Sequence, residues 1–376
     1  MSNGIDLLMV DQVDPFTVAP NGIDTVIRGL IKYSASERIG IIGSTSSSAI
    51  RVGQWTCIEV EGRSVLFLAV SKGRSTHWLV SRVPDSVRLT FGLVRFRNRI
   101  PRVRAHAHRV EIGVVLRGLL RAEYVQFIHN DSKGLLGAES DSLWKRLSSA
   151  YRWLELRALR NASAVVLFNK SDSGRLREIR SDLFVATTWY DPSLVATRVS
   201  QDSCDVLYLC WVGRFESQKD PLLAVATLAC LVERGVDVRM TFVGSGSMQS
   251  EMEADIRLRG LSEYCVFTGS IPRAQVLDEM ARQTVLLITS HYEGSPTVLV
   301  EAGASGLPIV GTYESDPDHL VNNHENGVVV RSRDPFVIAD AVIAGRVCES
   351  TACREAVSER SGPKIVPQIL RLGRTS

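Results

Sequence analysis

Apolar runs of strand length alternate with amphipathic, helix-length stretches along almost the whole chain, and this alternation restricts the fold more than any other feature. Near-continuous runs of Val, Ile and Leu suit strands buried on both faces, which is the situation of a parallel sheet covered by helices. In the first half, strands are predicted near 5–10, 38–43, 54–60, 64–70, 103–107, 124–128, 163–168 and 182–187, with helices over about 22–34, 86–99, 110–121 and 141–160. Regular character fades over 187–204, which reads as a linker, and restarts at Val206–Val212 with further strands near 237–243, 264–268, 285–289 and 308–312. The expected organisation is a Rossmann-like α/β domain over 1–190, a second over 205–346, and a helical tail over 347–376 packing back towards the first. Open α/β sheets bind ligands outside the carboxyl ends of their strands, so two such halves suggest a cleft lined by those loops.

At 376 residues, 45% hydrophobic and 23% charged, the chain has ordinary globular composition and room for two domains. No apolar run reaches the roughly 18 residues of a membrane span. The start, Met1-Ser2-Asn3-Gly4-Ile5-Asp6, lacks a basic leader and runs almost at once into a strand, so no signal peptide is expected. Seven cysteines without Cys-x-x-Cys spacing read as core thiols of a cytoplasmic protein rather than as disulfides or a metal site. The net charge of +3 decides nothing.

The densest stretch runs from His291 to Pro308. Glu293 and Glu301 stand there with seven residues between them and a helix start in the gap. Ser295 is predicted as N-cap and Pro296 as first helical residue, with Gly306 ending the helix before Pro308. Gly294, Ser295, Pro296, Thr297 and Val298 would then surround free backbone N–H groups, a ready anion site flanked by two carboxylates. Glu301, among Val298, Leu299, Val300 and Ala302, either faces solvent or needs a partner.

Further candidates follow the strand ends. Trp211-Val212-Gly213-Arg214 through Lys219-Asp220-Pro221 places a guanidinium and an ammonium in one loop, which suits a diphosphate but also describes two solvated cations. Gly244-Ser245-Gly246 is a tight strand-to-helix turn and lacks the third glycine of a dinucleotide fingerprint. Thr268-Gly269-Ser270-Ile271-Pro272-Arg273 ends the next strand, and Asn21-Gly22 lies in the loop between the first strand and the helix after it. His108 and His129 fall at the carboxyl ends of adjacent predicted strands. Arg95–Arg104 packs five arginines into ten residues, either a solvated helix end or a patch for an anionic membrane surface or a lipid-diphosphate acceptor; aromatic stacking support for nucleic acid is lacking.

The Glu293-x7-Glu301 stretch, with its small residues, Ser-Pro start and Gly-Leu-Pro exit, closely resembles the signature of the retaining glycosyltransferases of family 4 (glycosyl transferases group 1), which have the GT-B fold of two Rossmann-like α/β domains. The resemblance is close over about 205–332 and loose over the first half. It implies a nucleotide-diphosphate sugar as donor, a glycan or lipid-linked hydroxyl as acceptor, no metal, and work in polysaccharide, glycolipid or cell-envelope glycan synthesis, at the inner face of the membrane. It further implies that Gly213, Arg214 and Lys219 hold the donor diphosphate together with the 294–298 helix start. Glu301 would bind the ribose, Glu293 would lie by the sugar, and Gly244 and Ile271 would lie near the nucleotide. His129 would contact the donor sugar and Gly22 would approach the phosphate or the acceptor, while Asn21 stands where the family has a second glycine. A sugar-nucleotide epimerase of the same fold and a non-catalytic sugar-nucleotide-binding subunit are the alternatives.

Overall fold

The computed structural model describes residues 4–16, 22–34, 37–73, 85–129, 147–196 and 206–374. Asn21, residues 197–204 of the expected linker and the first part of the expected 141–160 helix lie outside the described residues. The chain divides into two compact units, one holding the described residues up to Ala186 together with Pro363 onwards, the other Thr187–Gly362.

The first unit is built on an eight-stranded sheet. Its strands are β1 (Leu7–Val10), β2 (Ile39–Thr45), β3 (Trp55–Val60), β4 (Arg63–Lys72), β5 (Arg104–Ala107), β6 (Tyr124–Ile128), β7 (Ala164–Leu167) and β8 (Leu183–Val185), in the order β3-β4-β2-β1-β5-β6-β7-β8. All pairs are parallel except β3 with β4, which form a hairpin. Its two-residue turn, Glu61-Gly62, has positive φ at both positions (51° and 70°), the primed geometry that matches strand twist. Among the described residues before Ala186, this unit carries the helices α1 (Gly22–Lys32), α2 (Asp85–Arg95), α3 (Val110–Leu120), α4 (Ser148–Asn161) and the short α5 (Ser173–Arg177). The central strand β1 is fully apolar, with Leu7, Leu8, Met9 and Val10 all inaccessible.

The second unit carries six parallel strands. They are β9 (Leu207–Val212), β10 (Val238–Val243), β11 (Cys265–Gly269), β12 (Val285–Ile288), β13 (Ile309–Thr312) and β14 (Gly327–Val330), in the order β11-β10-β9-β12-β13-β14. Its helices are α6 (Pro221–Glu233), α7 (Gln249–Leu258), α8 (Arg273–Met280), α9 (Thr297–Ser305), α10 (Pro335–Gly345) and α11 (Ser350–Ala356). Strand order reverses between β9 and β12, so the loops leaving those two strands meet at a topological switch point.

The stretch read as a linker is partly built into this second unit. Trp189 is buried, Tyr190 bridges Ser361, and Thr188 bonds Ser295. A last helix, α12 (Gly362–Arg371), buries Val366, Ile369 and Leu370 and belongs mostly to the first unit. There Arg104 donates to the carbonyl of Leu370 at 3.1 Å and pairs with Glu37 at 2.7 Å, and Arg374 pairs with the same carboxylate. Arg104 is therefore not part of the exposed arginine run in which the sequence puts it. Of the described cysteines, all free, Cys57 is exposed, Cys265 half-buried and the other four buried.

Candidate active site

The β9 and β12 loops are stitched together by hydrogen bonds that place two predicted residues in contact. Thr289, just after β12, accepts from Trp211 Nε1 at 2.9 Å and bonds the carbonyl of Asp220 at 2.7 Å. His291 N donates to Gln218 O at 2.9 Å. Arg333 reaches across to the carbonyls of Thr289 and Ser290 and to the Asp220 carboxylate, at 2.8, 3.2 and 2.5 Å. Asp220 sits in the left-handed region (φ 44°) and caps α6 by accepting from Leu223 N at 3.2 Å. Within this frame Lys219 Nζ pairs with Glu293 Oε1, and Ser290 Oγ donates to the same oxygen at 2.6 Å.

Lys219 and Glu293 retain only 18% and 6% side-chain exposure, which corrects the expectation of an exposed Lys219 on an open loop. A carboxylate removed from water needs partners of this kind, and it has a charged and a neutral one. Arg214 does conform to the exposed-loop reading: it is 60% exposed and leans on Glu216. Gly213 and Gly244 abut. A Cβ on Gly244, at φ +136°, would lie 1.9 Å from the carbonyl oxygen of Gly213, so glycine there is required by loop-to-loop packing.

Helix α9 begins one residue later than the sequence suggests. Pro296 is the N-cap, extended, and Thr297 opens the helix. Ser295 makes no cap bond; its hydroxyl bonds Thr188 at 3.1 Å and Asp318 at 3.2 Å. Proline offers no side-chain acceptor, so the first-turn N–H groups of Thr297 and Val298 carry no side-chain cap, while Leu299 N donates to the carbonyl of Pro296 at 3.3 Å. Gly294, Thr297 and Val298 are half-buried around this start, and Pro296 is buried. The helix ends at Gly306 (φ 72°) as predicted.

Glu301 is buried on α9 and pairs with Arg273 Nε at 2.5 Å. Arg273 is the first residue of α8 and follows the loop of Ile271, so it links the two predicted features. Its Nη2 is buried with no partner among the described residues. Sequence reasoning assigned no role to Arg273, Arg333 or Ser290.

The remaining candidates stand in the first unit. Gly22 is the first residue of α1, and a Cβ built on it meets nothing within 4 Å. Asp11, His108 and His129 follow β1, β5 and β6, at the reversal of that sheet. His129 Nε2 and His108 Nδ1 are 2.9 Å apart, and His129 stacks on Phe168 at 12°. Burial, with Arg109 beside it, pushes the His129 imidazole down to about 3. Arg109 itself pairs with Asp11 at 2.8 Å.

His106, on β5, is fully inaccessible, and neither ring nitrogen has a partner among the described residues. Burial, then the charge of Arg104, pushes it down to about 3. A histidine kept neutral by the fold binds fewer protons folded than unfolded, so its contribution is present above pH 6.5 and is lost as pH falls below it. Between pH 7 and 5 that difference is about 2 kcal/mol. His106→Leu is therefore expected to lose about 2 kcal/mol less stability than wild type over that interval in urea unfolding, because it removes the titrating group. Equal losses would show that His106 is protonated in the folded state.

The model of the glycosyl transferases group 1 family matches residues 200–350, which take in β9 to β14 and both glutamates. This group 1 region is similar to the D-inositol 3-phosphate glycosyltransferase of Acidothermus cellulolyticus, 31% identical over 153 residues that make up 38% of this chain and 33% of that protein. The chain thus spans about a third of the length of that curated relative. Over almost its full length its fold is similar to sucrose-phosphate synthase from Thermosynechococcus elongatus (TM-score 0.76, 17% identity, 98% of each chain). It is also similar to Anabaena HepE, solved in complex with UDP and glucose (TM-score 0.70, 16% identity, 97% of this chain and 98% of that one). The group 1 region and the unit before it have the GT-B fold, two parallel-sheet α/β units. No helix among the described residues is long and apolar enough to cross a membrane.

Proposed function

We propose that the chain is a retaining glycosyltransferase that moves a sugar from a nucleoside-diphosphate sugar to an acceptor hydroxyl, in the synthesis of a polysaccharide, a glycolipid or a cell-envelope glycan. One observation carries this reading: Lys219 and Glu293 are paired at the switch point of a group 1 region, immediately before a helix whose first turn lacks a side-chain cap. The uncapped N–H groups, the helix dipole, Lys219 and Arg214 supply positive charge where a diphosphate would leave. Glu301, oriented by Arg273, offers an ionised carboxylate to the two hydroxyls of a ribose.

On this reading the bond between the anomeric carbon and the diphosphate breaks as negative charge gathers on the leaving group. The acceptor hydroxyl attacks from the face the diphosphate leaves, and its proton passes to a phosphate oxygen. The anomeric configuration is retained without a protein nucleophile. Glu293, already bonded to Lys219 and Ser290, positions the sugar rather than attacking it. We further propose, as the resemblance implies, that His129 and Gly22 contact a sugar donor.

Anabaena HepE is a UDP-bound neighbour, so uridine donors come first in the test. The purified chain is incubated with a panel of sugar nucleotides with and without hydroxyl acceptors, and nucleoside diphosphate release is followed. Acceptor-dependent release is expected. Epimerisation of the sugar without an acceptor, or binding without turnover, would replace this reading by one of its alternatives. Because side chains and the helix start neutralise the leaving group, turnover is also expected to survive EDTA. Complete loss restored by manganese or magnesium would contradict the metal-independent reading.

The reading extends to cytoplasmic contact with an anionic membrane surface. Arg95, Arg97, Arg99 and Arg102 are exposed, and none forms an ion pair among the described residues. Helix α3 packs between α2 and α4, and α2 exposes Phe91 (67%) while α4 exposes Trp153 beside Arg157. Cations around exposed aromatics suit an anionic lipid interface. Sedimentation with phosphatidylglycerol vesicles is expected at low salt and is expected to fall with added salt. Equal recovery with neutral vesicles, or none with either, would remove the membrane from the proposal.

A further inference from the structure

Two neutral imidazole nitrogens at hydrogen-bond distance share one proton, and which ring owns it decides what the outward ring can do. His108 is buried, stacked on Phe127 at 21° and on His129 at 19°. Its Nδ1 faces His129 Nε2 at 2.9 Å, while its own Nε2 is buried with no partner among the described residues. His129 is half-buried, and its Nδ1 makes no hydrogen bond among those residues.

A neutral imidazole carries one N–H. If His129 Nε2 donated to His108 Nδ1, the proton of His108 would sit on Nε2, an orphaned buried N–H. Such groups are rare in native proteins because the lost hydrogen bond to water is not replaced. In the reverse arrangement His108 Nδ1–H donates to His129 Nε2, and the only unmet group is a lone pair on His108 Nε2. The proton of His129 is then on Nδ1, its outward nitrogen.

We propose that His108 is a positioning residue that fixes the tautomer of His129, so that His129 presents Nδ1–H as a donor to a hydroxyl or phosphate oxygen of the sugar donor and does not act as a general base. Its only lone pair is already taken by His108. The doubly charged alternative is disfavoured by the surroundings. His106 and the Arg109–Asp11 pair face the two rings from β5 and the β1 loop, and Phe127 and Phe168 close them in. Burial first, then the neighbouring His129, His106 and Arg109, holds His108 well below the usual imidazole range. The ligand named here rests on the glycosyltransferase reading; the tautomer does not.

The test separates the two. Long-range proton–nitrogen NMR of the full chain labelled with nitrogen-15 histidine reads each tautomer without substrate. Both His108 and His129 are expected as Nδ1–H forms, unchanged between roughly pH 6 and 8. A His129 that carries its proton on Nε2, or that titrates near 6.5, overturns the proposal. His108→Asn keeps an N–H near the place of Nδ1, and His108→Leu removes it. With a sugar nucleotide that supports turnover, His108→Leu is expected to raise KM for that donor about tenfold, the size of one hydrogen bond. Burial and Arg109 still hold His129 neutral in that variant, so NMR is expected to show its proton redistributed between Nδ1 and Nε2 rather than a new titration, and His108→Asn should restore both the tautomer and KM. An asparagine variant as impaired as the leucine variant counts against the donor role of His108. If no sugar nucleotide is turned over, the glycosyltransferase reading fails while the NMR result still decides the tautomer.

Discussion

Lys219→Ala is expected to lower turnover by about 10²–10³-fold and to destabilise the second unit, whereas Arg214→Ala is expected to lower turnover by a similar factor and leave stability unchanged. The catalytic cost is the usual one for removing a preorganised charge from a site of developing negative charge, about 3–4 kcal/mol. The difference in stability comes from burial. Arg214 is 60% exposed, and its contact with Glu216 is a surface pair of little worth. Lys219 is the cation against which Glu293 is buried. Stripping one partner from a buried pair costs about 3–5 kcal/mol, and the lower end applies here because Ser290 still donates to Glu293. Urea unfolding and turnover measured on both variants separate the effects. Turnover within about threefold of wild type in both would sink the diphosphate clamp.

Glu301→Gln is the second variant with a large expected effect. The substitution keeps the shape, removes the charge that Arg273 faces, and turns one acceptor into a donor. Nucleoside diphosphate affinity is expected to fall by about 1.5–3 kcal/mol, the range for hydrogen bonds to a charged group. Glu293→Gln is expected to behave in the opposite way. Its carboxylate is held by Lys219 and Ser290 and placed for the sugar, so turnover falls while affinity for the bare nucleotide stays near wild type. Calorimetry with the nucleotide alone, alongside transfer assays, reads the contrast. Equal losses of nucleotide affinity in the two variants would remove the separate roles.

Much of this architecture was legible because strand burial writes itself into sequence as runs of Val, Ile and Leu. The strands from β9 to β13 fall within a residue or so of their predicted places. The β3–β4 hairpin was not legible as such, because its turn is Glu61-Gly62 rather than the Asn-Gly or Asp-Gly that favours positive φ at both positions. Strand β14 was missed because Gly327–Val330 directly follows the polar run Asn322–Asn326, which reads as loop.

In the candidate site, spacing singled out Glu293, Glu301, Lys219 and the helix start, all of which lie close together in sequence or at strand ends. Their partners were not readable. Arg273 and Glu301 are 28 positions apart, and Arg333 and Asp220 are 113 apart. Such pairs are set by strand order across the sheet, and local periodicity carries no trace of it. Ser295 shows the same limit at short range. Its residue type favours a cap, yet Thr188 and Asp318 claim its hydroxyl and leave Pro296 at the cap position.

The most direct measurement is calorimetric titration of UDP, GDP and ADP into wild type and Lys219→Ala. At least one nucleotide is expected to bind wild type at a single site and to lose about tenfold or more in affinity on the substitution, with the variant shown folded by its unfolding curve. Absence of binding by all three, or equal affinity in the two proteins, would contradict a nucleoside-diphosphate site built around Lys219 and the start of α9.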